Sequence, residues 1–226
     1  MDPNVHQYLM RMNFYREIGA TVAEPFLRRA ADGRFLVLTR IDAANESAIF
    51  NGLRDCLIRD FGLEQDFSWS ATYLLSELSD NFRVHSGAST AYLQAQSYRD
   101  RLSISLADRG MSIPGSMRSS DLYTEWPAAD LLAESVKEGT TSRPDSPGMG
   151  LFMTAEAVRE NGGKLQIISA DACLTCGRGS ARVEQVAHWQ GTLIAIELKK
   201  KAGLRVWEMF PSVCGPDDWG EVWTEQ

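Results

Sequence analysis

The sequence predicts an α+β fold, built as a two-layer α/β sandwich in which helices cover one face of a β-sheet. Two observations lead to this prediction. Segments rich in β-forming residues come in clusters, and the helical segments carry apolar residues at helical spacing. The order along the chain is strand, helix, helix, two strands, a long connection, a helix and further strands.

The first half of the chain supplies one strand and two helices. Residues 34–41, "RFLVLTRI", are rich in β-forming residues and predict a strand. Residues 43–62 carry apolar residues every four positions, which predicts an amphipathic helix. A second helix is predicted over residues 66–87, with a cap at Ser68 or Ser70 and a glycine stop at its end.

The second half supplies the remaining strands and one more helix. Residues 90–98 and 101–108 predict two strands joined by a tight turn. Residues 148–163 predict a helix that glycines open and close, and the strand "KLQIISA" follows it. A hairpin over residues 181–200, with its bend near Gly191, completes the predicted sheet.

A connection of unusual length separates the two halves. Residues 109–147 hold four of the eight prolines and one short helical piece at residues 127–139. Compact domains seldom carry so long a connection without a function for it. We therefore predict one domain over residues 35–200, with extensions at residues 1–34 and 201–226.

Composition and charge argue against several classes of protein. The chain has 226 residues, 44% of them hydrophobic, and a net charge of −7, which disfavours a general affinity for nucleic acid or anionic membranes. No apolar run approaches the ~20 residues that a membrane span needs, and the first residues show no signal peptide. With four cysteines and no secretion signal, we expect a cytoplasmic protein with reduced thiols.

Three segments carry polar residues whose combination suits a nucleotide. Glu77, Asn81 and His85 recur every four positions on the second predicted helix and share one stripe of its surface. Asp108 ends a predicted strand, where its carboxylate could accept a hydrogen bond from an exocyclic amine such as that of adenine. Residues 146–152, "SPGMGLF", open a helix whose free N–H groups suit a phosphate. Each segment alone is also explained without a ligand, as a solvated helix face, a turn residue or a simple glycine turn. The order and spacing of the three segments together favour nucleotide binding.

Two residue types on the helix also suggest a chemistry. The side-chain oxygen of Asn81 suits Mg²⁺, which prefers oxygen ligands and usually shares them with phosphate. Glu77, one helical turn away, could orient or deprotonate a water or a hydroxyl group. The stripe therefore combines a metal ligand with a general base.

With these motifs the chain resembles the GHKL superfamily of ATP-binding domains, and most closely its histidine-kinase-like branch, which includes the anti-sigma-factor serine kinases. Glu77 and Asn81 in "ELSDN" match the N box of that family. Asp108 and Gly110 match its D-x-G-x-G box, and "GMGL" at residues 148–151 matches its G-x-G-L box.

The resemblance extends over residues 35–198 and implies the Bergerat ATP-binding fold, with a mixed sheet and an ATP lid at residues 112–147. It implies ATP as the ligand and Mg²⁺ as its metal ion. Asn81 would ligate the Mg²⁺ that accompanies the nucleotide, Glu77 would act on the attacking water or hydroxyl, and Asp108 would hold the adenine amine. The other residues that the resemblance assigns to the nucleotide are Gly110, Gly148, Met149, Gly150, Leu151, Thr192 and His85.

Two serines depart from the family's pattern. Ser112 stands at the second glycine of the D-x-G-x-G box, and Ser146 stands where the G-x-G-x-G-L box begins with a glycine. Both add a side chain near the proposed pocket. For His85, the alternative to nucleotide contact is a role at the C-terminal end of its helix, where a positive charge is favoured.

The sequence leaves two functions open. Only His6 precedes the N box, and it lacks the acid and the proline that follow the phosphoacceptor of a sensor kinase, so we do not expect self-phosphorylation. In the first function, Glu77 supports Mg²⁺-dependent ATP hydrolysis or phosphoryl transfer to a serine of a regulatory partner protein. In the second, ATP orders the lid and gates the binding of a partner protein with little or no turnover. A homodimer is compatible with either function.

Two features outside the motifs have alternative explanations. Cys173 and Cys176 form a C-x-x-C pair that could hold zinc together with His188 and Cys214, and a surface hairpin turn is the alternative. The C-terminal tail combines tryptophans with acidic residues, which suits either a docking segment or packing against the domain. The tryptophans of the tail are Trp207, Trp219 and Trp223.

Overall fold

The computed structural model describes residues 2–27, 35–141 and 148–215 of the chain. They form a five-stranded antiparallel sheet with helices packed against it, which confirms the predicted α+β class. Within these residues, no helix is both long enough and apolar enough to cross a membrane.

The elements follow one another in the predicted order. The strands are β1 (Phe35–Ile41), β2 (Ala91–Ser97), β3 (Arg101–Asp108), β4 (Lys164–Gly177) and β5 (Ser180–Lys199). The α-helices are α1 (Pro3–Arg11), α2 (Phe14–Glu17), α3 (Glu46–Arg59), α4 (Gln65–Asn81), α5 (Ile113–Met117), α6 (Ala128–Glu134), α7 (Gly150–Asn161) and α8 (Val206–Met209). The shorter helical turns are a π-helical turn at Phe82–Ser86, which continues α4, and 3₁₀ turns at Asp121–Tyr123 and Lys200–Ala202.

The strands lie in the order β1-β2-β3-β5-β4, and every neighbouring pair is antiparallel. The mixed sheet that the family resemblance implied is therefore wrong for the described residues. Tight hairpins join β2 to β3 and β4 to β5, and connections this short return the chain antiparallel to itself. Because β5 also runs antiparallel to β3, the strand direction alternates across the whole sheet.

The hairpin between β4 and β5 turns at residues 178–179. The predicted bend near Gly191 is wrong, because β5 continues through that residue. Gly191 has a φ of 94°, and the pairing register of the two strands shifts on either side of Ala170. An isolated glycine in a β-rich segment marks a bulge as readily as a turn, and the sequence pattern does not distinguish the two.

α4 begins at Gln65, so the predicted caps at Ser68 and Ser70 are wrong. Both serines are fully buried within the helix. The Ser70 hydroxyl donates to the Leu204 carbonyl at 3.0 Å and accepts from the Val206 N–H at 3.3 Å. Serine is common at helix caps, but Ser70 instead joins α4 to the C-terminal segment. It does so because tertiary packing places backbone polar groups of that segment beside its hydroxyl.

One hydrophobic core lies between the sheet and the helices α3, α4 and α7. α4 contributes Leu74, Leu75 and Leu78, each at most 2% exposed. Along β3, buried and partly exposed residues alternate, as they do in a strand with one face on the core. Gly87, with a φ of 66°, ends the helical path after the π-helical turn and confirms the predicted stop.

α1 contacts the opposite face of the sheet. The Tyr8 hydroxyl donates to Gln96 Oε1 at 2.9 Å and accepts from Gln94 Nε2 at 2.7 Å. Both glutamines alternate along β2 with the buried core residues Leu93 and Ala95, so their side chains point away from the core. The predicted placement of helices on one face therefore holds for the core helices and not for α1.

Residues 201–215 of the C-terminal tail pack against the core. The buried apolar residues of this segment are Leu204, Val206, Phe210 and Val213. Asn161, at the end of α7, holds the segment by donating from its side-chain amide to the Gly203 carbonyl at 2.9 Å. Trp219 and Trp223 lie outside the described residues.

Most of the predicted lid is folded onto the domain. α6 lies against β4 and β5, and its Leu132 is fully buried in the main core. Three further residues of the predicted lid form a small cluster of their own: Met117, Tyr123 and Leu131. Residues 142–147, which include Ser146, lie outside the described part of the chain.

Cys173 and Cys176 lie inside β4, so the surface turn considered for them is wrong. Both are buried. Side chains three positions apart along a strand point to opposite faces, so this pair does not converge on one ion. Across residues 2–27, 35–141 and 148–215, no three His, Cys, Asp or Glu side chains are grouped to hold a metal ion.

Leu132→Ala tests whether α6 belongs to the core. The substitution truncates a fully buried side chain, so the free energy of unfolding, measured by urea denaturation, should fall by about 2–5 kcal/mol. Leu122→Ala is the control from the same predicted lid, because Leu122 is 69% exposed. Its loss should stay below about 0.5 kcal/mol. Equally small losses in the two variants would contradict the packing of α6.

Candidate functional site

A cavity of about 430 Å³ lies between the end of α4, the end of β3, the middle of β5, the segment that contains α5 and α6, and the start of α7. Its volume falls within the range of small-molecule sites. The predicted site residues that line it are Glu77, Asn81, His85, Asp108, Gly148, Met149, Gly150, Leu151 and Thr192. The structure thus brings together residues from three distant motifs. Gly110 is not among these lining residues, and its N–H donates to the Asp108 carboxylate.

Asp108, the last residue of β3, is 5% exposed and is held by hydrogen bonds. The Gly110 N–H donates to its Oδ1 at 2.8 Å. The Ser86 hydroxyl and the Thr192 N–H also donate to this carboxylate. Burial raises the pKa of Asp108 above its ordinary value, and these donors oppose the increase. At the cavity wall, such a group can accept a hydrogen bond from an amine of a ligand.

Two glycines allow the backbone to come close to itself around Asp108. A Cβ on Gly110 would lie 2.3 Å from the Ser86 carbonyl oxygen. A Cβ on Gly191 would lie 2.3 Å from the carbonyl oxygen of Asp108. Neither position has room for a methyl group, so both glycines are needed for the close backbone packing around Asp108.

Glu77 and Asn81 face the first residue of α7. A Cβ on Gly150 would lie 2.9 Å from Asn81 Nδ2 and 3.1 Å from Glu77 Oε2. Asn81 Nδ2 is buried and has no hydrogen-bond partner within the described residues. A buried polar atom without a partner is uncommon and points to a ligand at this position. Rotation of the amide by half a turn would present its oxygen there instead.

The N-terminus of α7 opens at the cavity without a side-chain cap. Its flanking residue Met149 lines the cavity together with Gly150. Gly148 has a φ of 66°, and a Cβ on it would lie 2.6 Å from the Thr140 carbonyl oxygen. The chain therefore turns tightly into α7, whose first N–H groups and positive dipole end favour an anion.

Glu77 is a half-buried carboxyl group with a raised pKa. Burial is the main cause of the increase in the pKa of Glu77, and the charge of Asp80 adds to it. The Tyr73 hydroxyl donates a hydrogen bond to Glu77 and lowers that pKa in part. A carboxyl group whose pKa lies above its ordinary value is a stronger base for accepting a proton.

The cavity is acidic. Glu77, Asp80 and Asp108 supply three carboxyl groups to its wall. Among the lining residues that the structure describes, His85 is the only basic side chain, and it lies in the π-helical turn after α4. An anionic ligand would therefore need a cation to accompany it.

Hydroxyl groups connect the sheet to α5 at the cavity wall. The Thr192 hydroxyl lies 3.0 Å from Ser169 Oγ, which also accepts from the Ile113 N–H at 2.9 Å. Ser112, one of the two departures from the family pattern, caps α5 by accepting from the Gly115 N–H at 3.1 Å. The added side chain of Ser112 is thus used locally, at the start of α5.

The motifs did not identify every residue of the site, and three of the missed residues show why. Tyr73 precedes Glu77 by four positions and extends the same helical stripe, so its spacing could have revealed it. Ser86 donates to Asp108 from the end of the π-helical turn, and no local pattern distinguishes it from other serines. Ser212 lines the cavity from the C-terminal segment, and no spacing relates it to the other motifs.

Comparison with known proteins adds no family assignment. No protein-family model matches this chain, and no curated protein matches it significantly. The case for a function therefore rests on the motifs and on the geometry of the cavity.

Gly191→Ala tests the close approach beside Asp108. The variant combines a left-handed φ of 94° with a Cβ that has no room. Gly62→Ala is the matched control, because Gly62 has a φ of 63° and open space around its Cα. Gly62→Ala should lower the free energy of unfolding by about 1–2 kcal/mol. Gly191→Ala should lower the free energy of unfolding by at least about 1 kcal/mol more than that. Equal losses for the two variants in urea denaturation would show that the contact between Gly191 and the Asp108 carbonyl is not tight.

Proposed function

We propose that this protein binds ATP with Mg²⁺, as a histidine-kinase-like ATPase of the GHKL superfamily, and hydrolyses it or transfers its γ-phosphoryl group to a serine of a regulatory partner protein. The observation that carries the proposal is the convergence of three distant motifs on one cavity. Glu77, Asn81, Asp108 and Gly150 come from well-separated segments and meet around the same space. We extend the proposal to the fold, as a Bergerat fold with residues 112–147 as its lid.

Asp108 is the proposed acceptor for the adenine amine. Its carboxylate is buried at the cavity wall and is held in place by three donors from the protein. Apolar side chains that line the same cavity suit the faces of a purine ring, among them Leu106, Met153 and Ile194. A buried acceptor among apolar walls favours a base that offers an N–H at this position.

The start of α7 is the proposed phosphate site. Its uncapped N–H groups lie beside Gly150, which leaves the approach free of a Cβ. The unpartnered amide of Asn81 at the same place supports Mg²⁺ there, with the amide oxygen as the one protein ligand and phosphate oxygens as others. Bound Mg²⁺ would offset the charge of the phosphates, which the acidic cavity wall does not do.

Glu77 is the proposed general base. Its carboxylate would accept the proton of a water or of a serine hydroxyl, whose oxygen bonds to the γ-phosphorus as the bond to the leaving ADP breaks. The position of Glu77 against Gly150, with its Oε2 3.1 Å from the site of a Cβ, supports this assignment. Its raised pKa suits the same role.

A second function is favoured by one observation. The segment that contains α5 and α6 lines the cavity with Ser116, Ser135 and Thr140. A bound nucleotide would therefore contact both this segment and the body of the domain. Such a contact suits a nucleotide-gated switch, in which ATP determines whether a partner protein binds and turnover is slow or absent.

Asp108→Ala tests the adenine assignment. The variant loses a hydrogen bond to a charged group, so the affinity for ATP, measured by isothermal titration with Mg²⁺ present, should fall about 10- to 100-fold. Asp100→Ala, at the exposed turn between β2 and β3, should bind ATP as the wild type does. Absence of ATP affinity in the wild type would overturn the proposed function, and an unaffected Asp108→Ala variant would overturn the assignment of Asp108.

Glu77→Gln tests the catalytic role. Removal of a general base should lower phosphate release or phosphoryl transfer by at least about 100-fold, with little change in ATP affinity. The exposed Glu160→Gln on α7 should retain full turnover. Because burial raises the pKa of Glu77, the acid limb of the wild-type pH profile should lie above the ordinary pKa of a glutamate, with activity falling as the pH drops through it. A wild type that binds ATP without any turnover would favour the switch.

A further inference from the structure

A line of aromatic rings on α4 leads to Glu77. Tyr73 precedes Glu77 by one helical turn, and both line the cavity. The ring of Tyr73 stacks on Trp69, one turn earlier, with 5.4 Å between ring centroids and 9° between ring planes. Trp69 in turn meets the edge of Trp207 in α8, at 5.1 Å and 83°. Both geometries are those that aromatic pairs prefer.

The outer end of this line is anchored in the core. Trp207 lies in the C-terminal segment, between the fully buried Val206 and residues that pack onto α7. Ser70, one residue after Trp69, binds the backbone of the same segment at Leu204 and Val206. These contacts hold Trp69 in place, and the ring of Tyr73 packs nearly parallel to it.

We propose that Tyr73 is the positioning residue of this site: its ring stacks on Trp69, and its hydroxyl donates to the Glu77 carboxylate and directs it into the cavity. The expected effect on turnover rests on the proposed function. The hydrogen bond between Tyr73 and Glu77 does not. The C-terminal segment becomes part of the site through this contact, because Trp207 supports the stack from outside α4.

The hydrogen bond opposes the two influences that would neutralise Glu77. Burial and the charge of Asp80 both raise the pKa of Glu77 and so favour its protonated form, which cannot act as a base. The donated hydrogen bond from Tyr73 stabilises the ionised form and lowers the pKa of Glu77. Without the hydroxyl, the pKa of Glu77 would be higher, and a larger fraction of Glu77 would be protonated at any pH around it.

Tyr73→Phe separates the hydroxyl from the stack. The variant keeps the ring that packs on Trp69, so its fold should be retained, and circular dichroism with a thermal scan checks this. The titration midpoint of Glu77, followed by ¹³C NMR of labelled glutamate carboxyls and assigned with Glu77→Gln, should rise by about 0.5–1 pH unit. Tyr98→Phe is the control, because that hydroxyl bonds Gln96 on the exposed face of the sheet. It should leave the midpoint unchanged.

The outcomes separate the two proposals. A midpoint that stays or falls in Tyr73→Phe overturns the positioning role, whatever the protein does with ATP, because the titration needs no nucleotide. If turnover exists, the acid limb of its pH profile should move upward by the same amount in Tyr73→Phe. Trp207→Leu keeps the hydroxyl and removes its support, so the midpoint should move in the same direction by a smaller amount. If it does not move, Trp207 does not support Tyr73.

Discussion

The site depends on how α4 is buried, because this one helix supplies both the core and the polar stripe. Leu74, Leu75 and Leu78 are buried against the sheet, which determines the rotation of α4 about its axis. Once that rotation is set, helical geometry determines the direction in which the remaining side chains of each turn point. Tyr73, Glu77 and the residues that follow at the same spacing therefore face the cavity. Hydrophobic burial thus provides the orientation that the chemistry of a carboxylate and an amide needs.

A second requirement is close approach between chain segments around the site, and glycines allow it. Gly191 comes close to the carbonyl of Asp108, and Gly150 comes close to the side chains of Glu77 and Asn81. A Cβ would lie 2.3 Å from the Asp108 carbonyl oxygen at Gly191 and 2.9 Å from Asn81 Nδ2 at Gly150, so a methyl group would collide at either position. The bulge in β5 therefore adjoins the site, since it contains Gly191, which lies against the carbonyl of Asp108.

The electrostatics of the cavity favour a cation and an anion together. Three carboxyl groups line it, and burial raises the pKa of two of them, Glu77 and Asp108, above their ordinary values. Hydrogen-bond donors from the protein oppose the rise in both pKa values. Backbone N–H groups and a serine hydroxyl donate to Asp108, and the Tyr73 hydroxyl donates to Glu77. The C-terminal segment takes part in this balance, because its Trp207 packs on the ring that holds Tyr73.

The sequence by itself determined the α+β class, the order of elements, the stop of the helical path at Gly87 and the stripe of α4, because each depends on local periodicity and turn chemistry. Only the tertiary structure decided that Gly191 is a bulge, that Ser70 links α4 to the C-terminal segment, and that the sheet is antiparallel throughout. It also decided that Ser212 reaches the cavity. The physical reason is that these outcomes depend on which distant segments come into contact. A glycine or a serine has the same local preferences in a turn, a cap or a core, and its neighbours in space select among them.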